Sequence, residues 1–303
     1  NRKIKIRSAA RYFNLDLDFR GLQMAAAITK DGLLPRQAAH SIEDADNITT
    51  DNAVEFFFDT GAVQHTFTLG LGHQKSTSNW QYLFGAAPDL DVLSPVYNIK
   101  TPALTTIIDN EQTLEQTGVY LQEQFTTEQL TVLLGVRRDW TKQNTKNRLA
   151  STKSSQSDSA TSYRSGLSYQ FTNGITPFVS YATSFEPTIG VDEHGAPFVP
   201  TEANQWEIGV KYQPFDTDIL LTLSAFDIHQ ENVLTPSPTP GFNVQLGEIR
   251  SRGTELEVRG LATENLERIG ALTQLDAEVS ETTVAANQGK RPQAAPELYG
   301  SLW

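Results

Sequence analysis

The side chains here that could do chemistry are few, and their spacing narrows what that chemistry can be. The five histidines, His40, His65, His73, His194 and His229, include no HExxH or i, i+4 pair, and the nearest two stand eight residues apart. Cysteine is absent, which excludes a thiolate nucleophile, a disulfide framework and a thiolate metal site. No GxSxG elbow or phosphate-binding loop occurs, and Gly70-Leu71-Gly72 has no helix pattern after it. Asp44, Asp46 and Asn47 open like a calcium loop but lack its glycine and its closing glutamate, so they read as solvated strand residues near a rim. What remains is binding through aromatic rings. Trp80, Tyr82 and Phe84 alternate in the connection that follows the strand Phe67 to His73, and flat amphipathic rings offer contact area and hydrogen bonds at low entropic cost. The same trio would equally serve as an interfacial girdle or a loop-packing cluster. Phe242, beside the proline-rich stretch Pro236 to Pro240, is a second candidate.

The elements that must position these rings are strands. In Trp206 to Gln213, Trp206, Ile208, Val210 and Tyr212 alternate with Glu207, Gly209, Lys211 and Gln213, which puts every apolar side chain on one face. Val132, Leu134 and Val136 repeat the theme up to Trp140, as do Phe67, Leu69 and Leu71, and Leu167, Tyr169 and Phe171. The connections alternate in length. Short turns fall at Thr60–Val63, Thr126–Glu128, Thr172–Gly174, Pro214–Thr217 and near Thr263–Leu266; long loops are expected over Asn14–Leu33, Ser76–Glu111, Thr141–Thr161, Pro187–Asn204, Gln230–Gln245 and Thr282–Pro296. A meander of about twelve such strands, with short turns at one end and long loops at the other, is the pattern of an all-β, antiparallel transmembrane barrel. The 38% apolar content suits a wall that is apolar on one side only. A helical membrane protein is excluded, because no run approaches the roughly 20 apolar residues a spanning helix needs. With 24 basic and 36 acidic side chains, net −12, the chain has no basic face for nucleic acid. Asn1 to Arg7 alternates from the outset and contains no apolar leader, as expected of a cytoplasmic chain or of one whose natural start lies upstream.

Eight stretches, taken in order, resemble the TonB-dependent outer-membrane siderophore receptors, and among them the ferrichrome-type hydroxamate receptors. They are TGAVQHTFTLGL (60–71), TGVYLQEQF (117–125), VLLGVRRDW (132–140), TNGITPFVSYATSFEP (172–187), QWEIGVKYQP (205–214), NVLTPSP (232–238), GEIRSRGTELE (247–257) and APELYGSLW (295–303). The resemblance implies that residues 1–303 form part of a barrel of about 22 strands, with the N-terminal plug, the TonB box and the last strands absent. It implies a receptor in the outer membrane of a Gram-negative bacterium, not an enzyme, that takes up a ferric siderophore as cargo and carries no resident cofactor. Its partners would be the siderophore, the TonB-ExbB-ExbD complex acting through the plug, and outer-membrane lipid and lipopolysaccharide. Other iron chelates, heme or cobalamin are alternative substrates, and an outer-membrane enzyme barrel is the rival class.

Within that frame Trp80, Tyr82 and Phe84 are the expected chelate contacts, since a hydroxamate chelate is compact and nearly neutral. Thr141–Ala160 carries four basic and one acidic residue and Pro187–Asn204 three acidic ones. No continuous basic mouth results, which favours a near-neutral chelate over an anionic catecholate. Phe185-Glu186-Pro187 should end a strand on the long-loop side. The charges Glu248, Arg250, Arg252, Glu255 and Glu257 should line a wet lumen.

Overall fold

A computed structural model describes the chain except for residues 1–2, 98–99, 101–102, 189, 191, 195, 216, 238–242, 264–265 and 293, so Phe242 lies outside the described residues. Twelve antiparallel strands follow one another in a single sheet in sequence order. They are β1 (Ile4–Met24), β2 (Leu33–Thr60), β3 (Val63–Asp91), β4 (Thr105–Thr126), β5 (Leu130–Asn147), β6 (Thr152–Tyr169), β7 (Ile175–Glu186), β8 (Thr201–Tyr212), β9 (Leu220–Pro236), β10 (Asn243–Thr263), β11 (Leu266–Glu281) and β12 (Leu298–Leu302). One short 3-10 turn, Ala285–Asn287, is the only helical element among the described residues.

Because antiparallel partners share a face, the ladders assign every side chain to one of two surfaces. One surface is apolar: Val54 pairs with Leu69, Leu69 with Leu121, Leu121 with Val136, and Val136 with Tyr163. Its members are exposed, Ile208 at 63% and Trp206 at 57%, as side chains meant for lipid must be. The opposite surface is small and polar: Asp51 pairs with Gly72, Gly72 with Gly118, Gly118 with Asp139, and Asp139 with Ala160. That is the inner surface. Accordingly the buried residues include Ala53, Ala160, Thr68, Asp139, Thr141, Gln143, Ser224 and Thr273, and no aliphatic side chain larger than alanine is buried among the described residues.

All five short turns lie at one end, and Phe185-Glu186-Pro187 does end β7 at the other. In the turns Gly61 and Gly174 take φ of 64° and 84°, which favour glycine, and a Cβ at Gly174 would also sit 2.1 Å from the Gln213 carbonyl oxygen. The expected long loops are mostly strand. β1 runs to Met24, β3 to Asp91 and β5 to Asn147, leaving connections at 25–32, 92–104 and 148–151; only the loops around 187–200 and 282–297 keep their expected extent. The reason is length. A band about 25 Å tall, crossed at about 40°, takes only about ten residues, whereas β3 has 29. The surplus residues continue the ladder as hairpins standing beyond the membrane.

Candidate ligand-binding site

Trp80, Tyr82 and Phe84 lie on β3, not in a loop. They continue the inner alternation from Gly70 and Gly72, so the structure brings all three to the inner surface above the membrane band. The Trp80 and Tyr82 rings are tilted at 45° with centroids 6.0 Å apart. Trp80 Nε1 donates to Ser41 Oγ at 2.9 Å, and the Gln23 amide donates to the Tyr82 hydroxyl oxygen at 3.4 Å. Both hydrogen bonds fix the ring edges and leave the faces for contact.

Two strands away β1 adds what the sequence reading missed. Phe13, Leu15, Leu17 and Phe19 occupy its inner face, with Phe19 56% and Phe13 47% exposed. In register, Leu17 faces Glu43 and Glu43 faces Trp80; Phe19 faces Ser41 and Ser41 faces Tyr82. Two apolar walls therefore flank a polar strip in which Glu43 accepts a hydrogen bond from Ser78 at 2.8 Å. Asn110 stands beside Trp80 on β4, and its buried Oδ1 has no hydrogen-bond partner among the described residues. The period-two run Phe13, Leu15, Leu17, Phe19 carried this signal, but the interleaved Asn14, Asp16 and Asp18 make the stretch read as loop.

The outward face of the same hairpins is polar and cross-braced. Arg148 donates to Asn79 Oδ1 at 2.6 Å, Glu111 Oε2 at 2.9 Å and Asp109 Oδ1 at 3.0 Å, tying the β5–β6 tip to β3 and β4. Tyr12 and Asn14 donate to Asp46, and these bonds, the Tyr12 one first, hold its carboxyl below the usual carboxylate range. Asp46 and Asp44 are strand residues, as expected, and the described residues contain no group of three or more metal-ligating side chains.

Below the mouth, at membrane depth, the inner wall carries charge. Arg137 makes two bonds of 2.7 Å to Asp139, which is 1% exposed and also accepts from Gln116 at 3.0 Å. Arg137 lies 5.6 Å from the Tyr120 ring centroid; the Tyr120 hydroxyl donates to Asp51 at 3.0 Å, and Arg7 pairs with Glu55 at 3.0 Å. Gly70 and Gly118 make room, since a Cβ at either would lie 2.0–2.1 Å from Tyr120 or Arg137. Glu255 is on the inner side, accepting from Thr273 at 3.1 Å. Arg250 and Arg252, expected in the lumen, instead share the outward face of Leu256 and Val258, where both pair with Asp227. Beyond the apolar band that face meets water, so charge there needs no lumen. Glu248 joins them, 3.3 Å from His229.

A wall that is apolar outside, charged inside and aromatic at its mouth is suited to binding and passing a ligand, and known proteins agree with that architecture. The family model described as TonB dependent receptor-like, beta-barrel matches residues 3–303. The chain is 33% identical over 287 residues to the ferrichrome outer membrane transporter/phage receptor of Escherichia coli K12, covering 92% of this chain and 38% of that protein. It is 32% identical over 280 residues to the ferrioxamine B receptor of Salmonella typhimurium, covering 92% and 40%. The chain thus spans about two fifths of the length of these relatives. The crystal structure of the siderophore receptor PiuA from Acinetobacter baumannii superposes with a TM-score of 0.85 at 21% identity, over all of this chain and 50% of that one. The ladder, the two-faced wall and the family match lead to one conclusion: the chain belongs to the TonB-dependent receptor β-barrel family of the Gram-negative outer membrane.

Proposed function

We infer that this chain is the central wall of an outer-membrane receptor that takes up a ferric siderophore of the hydroxamate class, without covalent chemistry. The plug and the remaining strands would come from the rest of the receptor. The observation that carries the reading is the mouth: the rings of Trp80 and Tyr82 on β3 face the apolar inner side of β1, with a narrow polar strip between. Such a surface suits a compact, nearly neutral chelate with an apolar shell and a few carbonyl oxygens. Relatives that take ferrichrome and ferrioxamine B support the same class. Energy would come from the TonB-ExbB-ExbD complex through the plug. Outward-facing Lys142, Lys146 and Lys153 on β5 and β6 stand where anionic lipopolysaccharide would meet them.

The test is equilibrium binding of a ferric trihydroxamate to the full-length receptor and to its Trp80→Ala variant. Loss of one ring face from the pocket should weaken binding by about tenfold. Unchanged affinity in Trp80→Ala, or a parent receptor that binds a ferric tricatecholate and no trihydroxamate, would refute the assignment.

A further inference from the structure

Between the aromatic mouth and the charged part of the inner wall, carboxamides stand among small polar residues and Leu114. Gln74, Gln112, Gln116, Gln143 and Gln156 occupy neighbouring inner positions on β3 to β6, with Thr141 among them. Gln143 stands apart within this belt. It is 4% exposed, and neither its Nε2 nor its Oε1 has a hydrogen-bond partner among the described residues. A buried carboxamide with both functions unpaired is costly, and folded proteins seldom keep one without a use.

A strap from the β7–β8 connection is tied to the strand beside it. Gln156, directly opposite Gln143 in the ladder, donates its amide to the Phe198 carbonyl oxygen, which draws Phe198 over the inner face, where it is 6% exposed. The neighbouring Val199 is held from the far side by Gln245 of β10, through bonds of 2.6 Å in both directions, and Asn232 donates to the Pro200 carbonyl oxygen at 3.2 Å. The strap thus bridges β6 to β9 and β10 through hydrogen bonds at Phe198, Val199 and Pro200. Such a contact can open at little cost compared with the ladder itself.

We propose that Gln143 is a second, deeper ligand station. A chelate leaving the Trp80 mouth displaces the Phe198 strap, and the Gln143 carboxamide then donates to a hydroxamate or amide oxygen of the ligand and accepts from an amide N–H. This inference rests on the hydroxamate reading above. It predicts a split between two stages: the mouth sets affinity at the surface, and Gln143 sets passage.

The test compares surface binding without energy and energised uptake of a radio-iron-labelled ferric trihydroxamate, using full-length receptor in cells. Gln143→Leu, which keeps volume and removes the amide, should bind within about twofold of the parent and take up the chelate about tenfold more slowly, the loss of one ligand hydrogen-bond pair. Gln143→Asn should recover part of that rate, and Phe198→Ala should take up chelate at least as fast as the parent. Uptake by Gln143→Leu within twofold of the parent, with or without a gain in thermal stability, overturns the proposal and assigns the amide to solvent or to another part of the receptor. Equal loss of binding and of heat-modifiable mobility in Gln143→Leu and Gln143→Asn overturns it as well, as a folding role. A parent that binds no trihydroxamate refutes the reading beneath; a parent that binds, with Trp80→Ala weakened and Gln143→Leu unaffected, refutes this inference alone.

Discussion

The sharpest test of the inner wall is a double-mutant cycle on Arg137 and Gly118. Asp139 is 1% exposed, and its charge is balanced by two 2.7 Å bonds from Arg137, with Gln116 the other donor. Removing one partner of a fully buried pair costs about 3–5 kcal/mol. The Arg137 side chain is 34% exposed and faces a wet interior, so we expect about 2–3 kcal/mol for Arg137→Ala. Gly118→Ala attacks the same contact from beneath, because its Cβ would lie 2.1 Å from an Arg137 Nη and 2.2 Å from Asp139 Oδ1. The guanidinium must lift and the pair must loosen, at about 1–3 kcal/mol. Once Arg137 is gone, the methyl has less to displace, so the double variant should cost at least about 1 kcal/mol less than the sum of the singles. The measurement is urea unfolding of the full-length receptor in detergent, followed by tryptophan fluorescence at constant m-value. Single effects that add to within about 0.5 kcal/mol would mean that Arg137 does not rest on Gly118, and the account of why this wall uses glycine would fail.

Three further outcomes are expected. Ile208→Arg places a charge on the lipid face and should cost about 2–4 kcal/mol of barrel stability, while Glu207→Arg one residue away stays within about 1 kcal/mol; similar costs would show that the faces are misassigned. Arg148→Ala should speed hydrogen exchange in the upper parts of β3 and β4, around Asn79 and Asp109, and leave Phe67–Leu71 unchanged. Uniform acceleration would contradict a local brace. The hairpin carboxylates Asp46, Glu115 and Asp227 are held below their usual range by Tyr12, Lys75 and Arg250 respectively. A folded-state value below the unfolded one stabilises above the unfolded value, about pH 4, and is lost as pH falls through the folded value. Protease nicking of these hairpins should therefore be flat from pH 7 to about 5 and rise below about 4; a rise complete by pH 5 would assign acid sensitivity to other groups.

The membrane part of the wall was legible because lipid enforces alternation. Trp206 to Gln213, Val132 to Trp140 and Phe67 to Leu71 could be placed on strands, and on the correct face, from period two alone. Beyond the band the signal fades for a physical reason. In β6, Thr152 to Thr161 carries Ser and Thr on both faces, since water bathes one and the lumen the other, and its strand state comes from pairing with β5, a long-range fact. Arg250 and Arg252 follow the same rule: outside the membrane both faces are wet, so charge there does not mark the lumen. Gln143 was invisible because a lone glutamine has no pattern, and its neighbours Leu114 and Gln156 come from β4 and β6 through long-range pairing.

The position of the mouth follows from how a long strand leaves a membrane. Register with both neighbours is unbroken along β3 from Gln64 to Tyr82, so the side chains that face lipid at Leu69 and Leu71 give way on the same outward face to His73, Lys75 and Thr77. The inner face runs the other way, from Gly70 and Gly72 in the membrane to Trp80, Tyr82 and Phe84 above it. β1 makes the same inversion, from outward Ile4 and Ile6 to inward Phe13, Leu15, Leu17 and Phe19. Apolar side chains left on the outer face above the band would form an exposed patch with nothing to cover it. On the inner face they can be covered by a ligand about two strand spacings wide, near 10 Å, which is the separation of β1 and β3. The phase flip in hydrophobic alternation therefore marks both the membrane exit and the start of the binding surface. Moving the rings one residue along β3, by exchanging Trp80 with Gln81 and Tyr82 with Leu83, would keep composition and strand length while turning both rings outward. Such a receptor should lose chelate affinity by at least as much as Trp80→Ala, about tenfold, and retain its fold; retained affinity would show that the inward phase is not what makes the site.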